Sequence, residues 1–391
     1  MEIPKSVRFV VTSSIKFLLH NSLFLIAGTI IGLVWANVDV HGYEHLAHGK
    51  LHFVVNEVLM CFFFAIAAKE IWEALLPGGA LSSARKAATP LLATLGGVAG
   101  PALIYVGGTI WFQRPDLARG WAIPCATDIA FSYLVARFVF GGRHPAIPFL
   151  LLLAIADDAI GLIILAIFYP TGELHLMLFF GCVIGAILFN LFVLRRFNVK
   201  NFWAYLVVAA PLSWWGFHKG GIEPALALVP IIPTLPHEAR DVGLFAEAEL
   251  PDSERPLDSL NQFEHWWHNP VELILMLFGF ANAGVVLGSA ALPTGLVSVG
   301  LLVGKPVGIT LLTLLAVKAF KLEMPSGMNF RDVVVLGFMA GIGFTVALFV
   351  STVAFPPGTT LDAAKMGALL SFSAAILAFI AARVLRTQKV V

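Results

Sequence analysis

Apolar segments of about 20 residues, the length a helix needs to cross the hydrocarbon core of a bilayer, recur along almost the whole chain. A helix of that length satisfies its own backbone polar groups where no water can, so the repetition points to an all-α polytopic membrane protein. Twelve segments can be read, near 18–37, 53–75, 89–112, 119–140, 147–169, 175–194, 202–218, 221–234, 268–291, 295–317, 332–354 and 364–382. Composition agrees, with only 13% of the 391 residues charged, far from the roughly 25% of a soluble domain. The first segment follows a basic stretch but is expected to stay as a spanning helix, because its apolar run is long and no Ala-x-Ala cleavage site closes it. Cys61, Cys125 and Cys182 lie within apolar segments and read as packing residues rather than a disulfide framework.

Short cytoplasmic loops collect Lys and Arg, and that rule orients the bundle. With the N-terminus inside, the inside gathers most of the 25 basic residues, among them Arg85, Lys86, Arg195, Arg196, Lys318 and Lys321. The outside keeps only Lys50, Arg114, Arg119, Lys219 and Lys365, while Lys69 and Lys305 fall within helices. Both termini are therefore expected in the cytoplasm, and residues 1–391 read as a single transmembrane domain. The stretch 236–262, rich in Glu, Asp and Pro, is expected to be a long cytoplasmic loop within it. The outer stretch 37–50 is expected to form a small extramembrane hairpin. A net charge of +1 gives no sign of a nucleic-acid partner.

Asp157 and Asp158 are the only charged residues between 147 and 168. A carboxylate at bilayer depth costs several kcal/mol and marks a functional site by default. Adjacent helical residues point about 100° apart, so the two aspartates need separate partners. Candidates are Asp128, shortly after Pro124, and Lys305, in Gly304-Lys305-Pro306. Proline breaks the helical ladder, and irregular backbone survives at depth only where it lines a cavity or is buried in protein. The fourth segment is therefore expected to break around Pro124–Asp128, and the eleventh around Gly341-Ile342-Gly343, where the glycines also suit plain close packing. Half-helices meeting like end to like end need compensation. Asp128 suits facing N-terminal ends and Lys305 suits facing C-terminal ends, unless Lys305 pairs with Asp157 and moves with it. Segments three to five and ten to twelve each have an interruptible middle member, the pattern of inverted repeats with two discontinuous, crossing helices.

A pair of aspartates titrates as a unit. Its hard oxygens, helped by a hydroxyl such as Thr127, can replace the water shell of a small cation. Protons and cation then compete for the same atoms, which is exchange chemistry. An intramembrane aspartyl protease and a channel also keep carboxylates in a bilayer. The first needs two carboxylates sharing a proton, whereas Asp157 and Asp158 diverge and no Gly-x-Gly-Asp motif is present. The second selects ions without coupling, so uphill sodium extrusion would separate it from an exchanger. An antiporter-like protein that has become a sensor is a further alternative, opposed by the intact set of charges.

Ala154-Ile155-Ala156-Asp157-Asp158, with Ala126-Thr127-Asp128-Ile129-Ala130-Phe131, Phe280-Ala281-Asn282-Ala283-Gly284-Val285, Gly304-Lys305-Pro306 and Gly341-Ile342-Gly343-Phe344-Thr345, resembles the bacterial NhaA sodium/proton antiporter family from the first segment to the twelfth. That family itself exemplifies the inverted-repeat plan. The resemblance implies a pH-regulated antiporter of the inner membrane, no enzyme and no cofactor. It would export Na⁺ or Li⁺ for external H⁺, and two carboxylates per cation suggest two protons per Na⁺. It implies Asp157 and Asp158 as ion and proton carriers, with Asp128, Thr127, Lys305 and Thr345 as their partners. It also allows a homodimer. Glu264, His265 and His268 fit the family's Glu-His pattern and could serve pH response, or be polar residues at a membrane interface. Two departures touch the same property. The usual Gly-Leu-Glu-Val-Lys-Arg-Glu is Ala68-Lys69-Glu70-Ile71-Trp72-Glu73-Ala74 here, keeping Glu70, and Gly-Val-His is Gly221-Ile222-Glu223. Glu57 stands where the family tends to have Asp.

Overall fold

A computed structural model describes residues 23–47, 49–82, 84–237 and 258–389, and every described element is helical. The helices are α1 Leu23–Val38, α2 Val40–Ala47, α3 Lys50–Leu75, α4 Ala84–Trp111, α5 Ile129–Phe140, α6 Ala146–Phe168, α7 Leu176–Leu194, α8 Phe202–Gly220, α9 Ser259–Ala283, α10 Leu292–Lys318, α11 Phe330–Ala340, α12 Phe344–Ala354 and α13 Thr359–Leu385. Among the described residues six are long and apolar enough to cross a membrane: α3, α4 without its first turn, α6, α7, α10 and α13. Two bent pairs bring the number to eight. A 3-10 segment, Pro115–Cys125, meets α5 at 52°, and α11 meets α12 at 49°. The order long helix, broken pair, long helix thus occurs twice, as α4 to α6 and as α10 to α13.

Each break has a local cause. Pro124 lies in the last turn of the 3-10 segment, and Ala126 and Asp128 are extended before α5 starts. Gly341 ends α11 and Gly343 precedes α12. Pro306, by contrast, sits in a helix that continues, because the π turn Gly300–Gly304 before it absorbs the change in the hydrogen-bond ladder. Close packing holds the repeats together. Along α4 and α10 a Cβ on Gly100 would come within 2.2 Å of the Gly304 carbonyl, and one on Gly96 within 2.1 Å of the Gly308 carbonyl, the small-residue contact by which membrane helices approach.

Three sequence expectations need correction. Residues 221–234 do not form a helix: they carry two 3-10 turns, Pro224–Leu226 and Ile232–Thr234. Pro224, Pro230 and Pro233 remove three donors there, and neighbours use three-residue bonds such as Leu226 N–H to the Glu223 carbonyl. The hairpin expected at 37–50 is instead the helix α2. Asp39 accepts from Gly42 N–H at 3.0 Å near its start, and Tyr43 and Ala47, one turn apart, face the core beside Phe280. The loop expected at 236–262 falls mostly outside the described residues, but 259–262 are the first turn of α9, where Asp258 accepts from Asn261 N–H at 2.8 Å.

Candidate ion-binding site

The two breaks touch. Asp128 N–H donates to the Ile342 carbonyl at 2.7 Å, joining the backbones of the two interrupted helices. Contact this close needs glycine at 343, since a Cβ there would lie 2.5 Å from the Ala126 carbonyl. The crossing brings like helix ends together in an otherwise apolar interior, and nearby side chains answer each end. Asp128 accepts from Phe131 N–H of α5 at 3.4 Å through Oδ1. Its Oδ2 accepts from Thr345 N–H of α12 at 3.3 Å and from the Thr345 hydroxyl. One carboxylate therefore serves two N-termini, where the helix dipoles favour negative charge. At the opposite ends, Lys305 Nζ donates to the carbonyl of Cys125, which closes the 3-10 segment, and the Thr127 hydroxyl lies 3.1 Å from the carbonyl of Ala340, which closes α11.

Asp157 enters from α6. Its Oδ2 pairs with Lys305 Nζ at 2.6 Å and lies 2.7 Å from the Thr127 hydroxyl. Asp157 is 1% and Lys305 0% exposed, so neither is screened by water. Asp158, one residue on, turns away toward α3, as helix geometry requires. It lines a cavity of about 10 Å³ with Phe63, Phe64, Ala67, Ala126 and Val346, just large enough for one water-sized guest. Asp158 Oδ1 is buried there without a hydrogen bond, and so is Asp157 Oδ1. Two carboxylate oxygens without partners, one of them on an aspartate that also meets a threonine hydroxyl, are hard donors of the kind a monovalent cation or a proton would use. The structure thus brings together Asp157, Thr127, Lys305, Asp128 and Thr345, with Asp158 on the neighbouring face.

The remaining residues separate. Glu70 lies in the field of Glu264 and Lys69. Lys69 forms ion pairs with Glu73 and with Glu264 of α9. Glu223 is elsewhere: it caps the turn Pro224–Leu226, accepting from Ala225 N–H at 3.4 Å, and its charged neighbour is Glu57. Glu57 and Glu70 are 13 residues apart on α3, about 20 Å along the axis. His265 is exposed.

Sequence reading missed the face of α3 that closes over Asp158. Phe63, Phe64 and Ala67 repeat at three- and four-residue spacing, a signal present in the sequence but shared by any packing stripe. It also missed Ser132, whose hydroxyl donates to the Met339 carbonyl at 2.8 Å and ties α5 to α11 below the crossing.

Comparison with known proteins matches residues 15–384 to a family described as Na⁺/H⁺ antiporter 1. The chain is 47% identical over 419 residues to a Na⁺/H⁺ antiporter NhaA of Jannaschia sp. (strain CCS1), covering 96% of this chain and 98% of the relative. It is 46% identical over 389 residues to one of Desulfitobacterium hafniense (strain DSM 10664 / DCB-2), covering 96% and 97%. To one of Geobacter metallireducens (strain ATCC 53774 / DSM 7210 / GS-15) it is 46% identical over 387 residues, covering 96% and 99%.

Proposed function

Since this chain belongs to the Na⁺/H⁺ antiporter 1 family, we propose that it exports Na⁺ or Li⁺ in exchange for external protons, carried alternately by Asp157 and Asp158. The observation that carries the assignment is the asymmetry of the two aspartates: one is held by Lys305 and Thr127, and the other opens into a cavity with an unpartnered oxygen. With both carboxylates ionised, each offers a free oxygen to a cation, Asp158 from its cavity and Asp157 next to the Thr127 hydroxyl. Cation binding weakens the hold of Asp157 on Lys305, because the carboxylate is then shared between two positive charges. Protonation of the aspartates expels the cation and leaves Lys305 with the Cys125 carbonyl. Asp128, bound to two helix N-termini, acts as a fixed counter-charge rather than a carrier.

Two titrating carboxylates against one monovalent cation make the exchange electrogenic, two protons in for each Na⁺ out, and competition for the same oxygens makes it pH-regulated. The bias of Lys and Arg supports both termini in the cytoplasm, and likeness to antiporters of bacteria supports placement in the inner membrane. The test is proton movement in proteoliposomes on adding Na⁺, Li⁺ or K⁺ across about pH 6–9, where histidine and perturbed carboxyl groups titrate. Na⁺ and Li⁺ should move protons, K⁺ should not, and Asp158→Asn should abolish the response. A K⁺ response equal to that of Na⁺, or activity retained in Asp158→Asn, would overturn the assignment. A reversal potential that fits one proton per Na⁺ would overturn the stoichiometry alone.

A further inference from the structure

About 10 Å along α3 from the wall of the Asp158 cavity, at seven residues' distance, lies a second set of ionisable groups that the exchange site does not use. Glu57 Oε2 is 3.4 Å from His218 Nδ1 of α8, and each side chain is 33% exposed. Glu223, 4% exposed, lies in the field of Glu57. We propose that Glu57, His218 and Glu223 form the outer proton port, where an external proton is collected before it reaches the aspartates; the proposal rests on the exchange reading above.

The three groups are held in place from several elements. Glu57 lies in the π turn Val54–Leu59 of α3, and its carbonyl accepts from Trp214 Nε1 of α8 at 2.7 Å. His218 stacks on Trp214, centroids 4.9 Å apart and planes 8° from parallel, with Phe53 against its edge. The imidazole therefore keeps one face on indole and aims Nδ1 at Glu57. Glu223 is fixed by capping its 3-10 turn, and the Cys61 thiol of α3 lies 3.1 Å from the Pro224 carbonyl in that turn. Glu57, Cys61 and Phe64 follow one another at i, i+4 and i+7, one stripe of α3. Its far end, Phe64, lines the Asp158 cavity. One stripe of α3 thus runs from the partly exposed Glu57, past the turn that holds Glu223, to the wall of the Asp158 cavity.

Among the described residues, other charges around this site are few. Lys50 and His52 are on α3, and His52 Nε2 is 3.0 Å from Asn56. Lys219 of α8 turns outward over the Trp215 ring at 5.3 Å. Glu173 and His175 belong to the exposed segment whose backbone bonds to Gly220 and Gly221. Lys50 and Lys219 are two of the basic residues assigned to the outside, so the port faces the side from which protons enter. Balance is simple: imidazole takes a proton from water and passes it to Glu57 Oε2, returning to the neutral form, and Glu223 is the next acceptor inward. Ion-paired imidazolium and carboxylate also give this mouth little net charge when protonated, which disfavours re-entry of Na⁺.

The test is Na⁺ efflux from right-side-out vesicles, with external pH stepped across about 6–8, either side of neutrality, at fixed internal pH. His218→Gln should blunt the external-pH response, while everted vesicles of the same variant keep the wild-type response to cytoplasmic-side pH. Glu223→Gln, whose side-chain oxygen can still cap Ala225, should slow exchange most when external protons are scarce and recover at low external pH. Unchanged external-pH response in both variants, or equal change on both faces, would overturn the port. No exchange in the wild-type protein would sink the exchange reading and the port with it, whereas wild-type exchange with unaltered variants sinks the port alone.

Discussion

Lys69 and Lys305 are both wholly buried in helices, yet their surroundings suit opposite purposes. Lys305 has one carboxylate and one backbone carbonyl, and that carbonyl is available to accept because the 3-10 segment ends at Cys125. When Asp157 lets go, Lys305 still has a partner. Lys69 is held between two carboxylates, Glu73 on its own helix and Glu264 on α9, with Glu70 nearby. Nothing there can leave without stranding charge in an apolar interior. A buried ion pair that borders a helix break can open and close, and one enclosed by continuous helices is a clasp.

The largest expected effect is that of Asp158→Asn. It should abolish Na⁺-driven proton movement with a melting temperature close to that of the parent, since Asp158 Oδ1 gives up no hydrogen bond. Next come the lysines themselves. Lys69→Met should cost about 3–5 kcal/mol, the range for breaking a buried ion pair from one side, and Glu264→Gln in the same chain should restore part of it. Denaturation in detergent measures both. Lys305→Met should cost less and shift the pH-activity profile, because Asp157 keeps Thr127 and can take up a proton. Equal stability losses with unshifted profiles would break the contrast between the two. Gly343→Ala should cost about 1–3 kcal/mol as an overpacking change, read as a lower melting temperature, because its methyl group meets the Ala126 carbonyl. Smallest of all is Arg114→Ala. The Arg114–Asp116 pair is 2.8 Å long but about half exposed, and such pairs contribute little, so melting should not move measurably.

Much of the crossing was legible in the sequence. Pro124 and the Gly341–Gly343 pair marked the breaks because each removes helix propensity for a reason independent of context. Asp128, Asp157 and Lys305 stood out because an ionisable group among apolar residues has no inexpensive alternative to a partner. Lys69 carried the same signal but registered only as a departure from a familiar motif. Its partners, one turn away and on a helix nearly 200 residues later in the chain, follow from packing. Residues 221–234 misled because apolar content resembles a span, while their prolines dictated turns. Glu70, Glu264 and Glu223 looked like one set by likeness to pH-response positions, and the fold divides them between two ends of α3.

By itself the sequence determined that this chain crosses a membrane many times, where two of its helices break, and which charges have to be answered inside. Those conclusions depend on local chemistry: helix length, missing donors and the cost of charge in an apolar medium. Only the tertiary structure decided that Asp157 is the partnered aspartate and Asp158 the open one, that Asp128 spans two helix ends, and that Glu223 sits beside Glu57 and His218. Periodicity tells a residue which way it faces along its own helix, but what lies opposite is set by the packing of other segments.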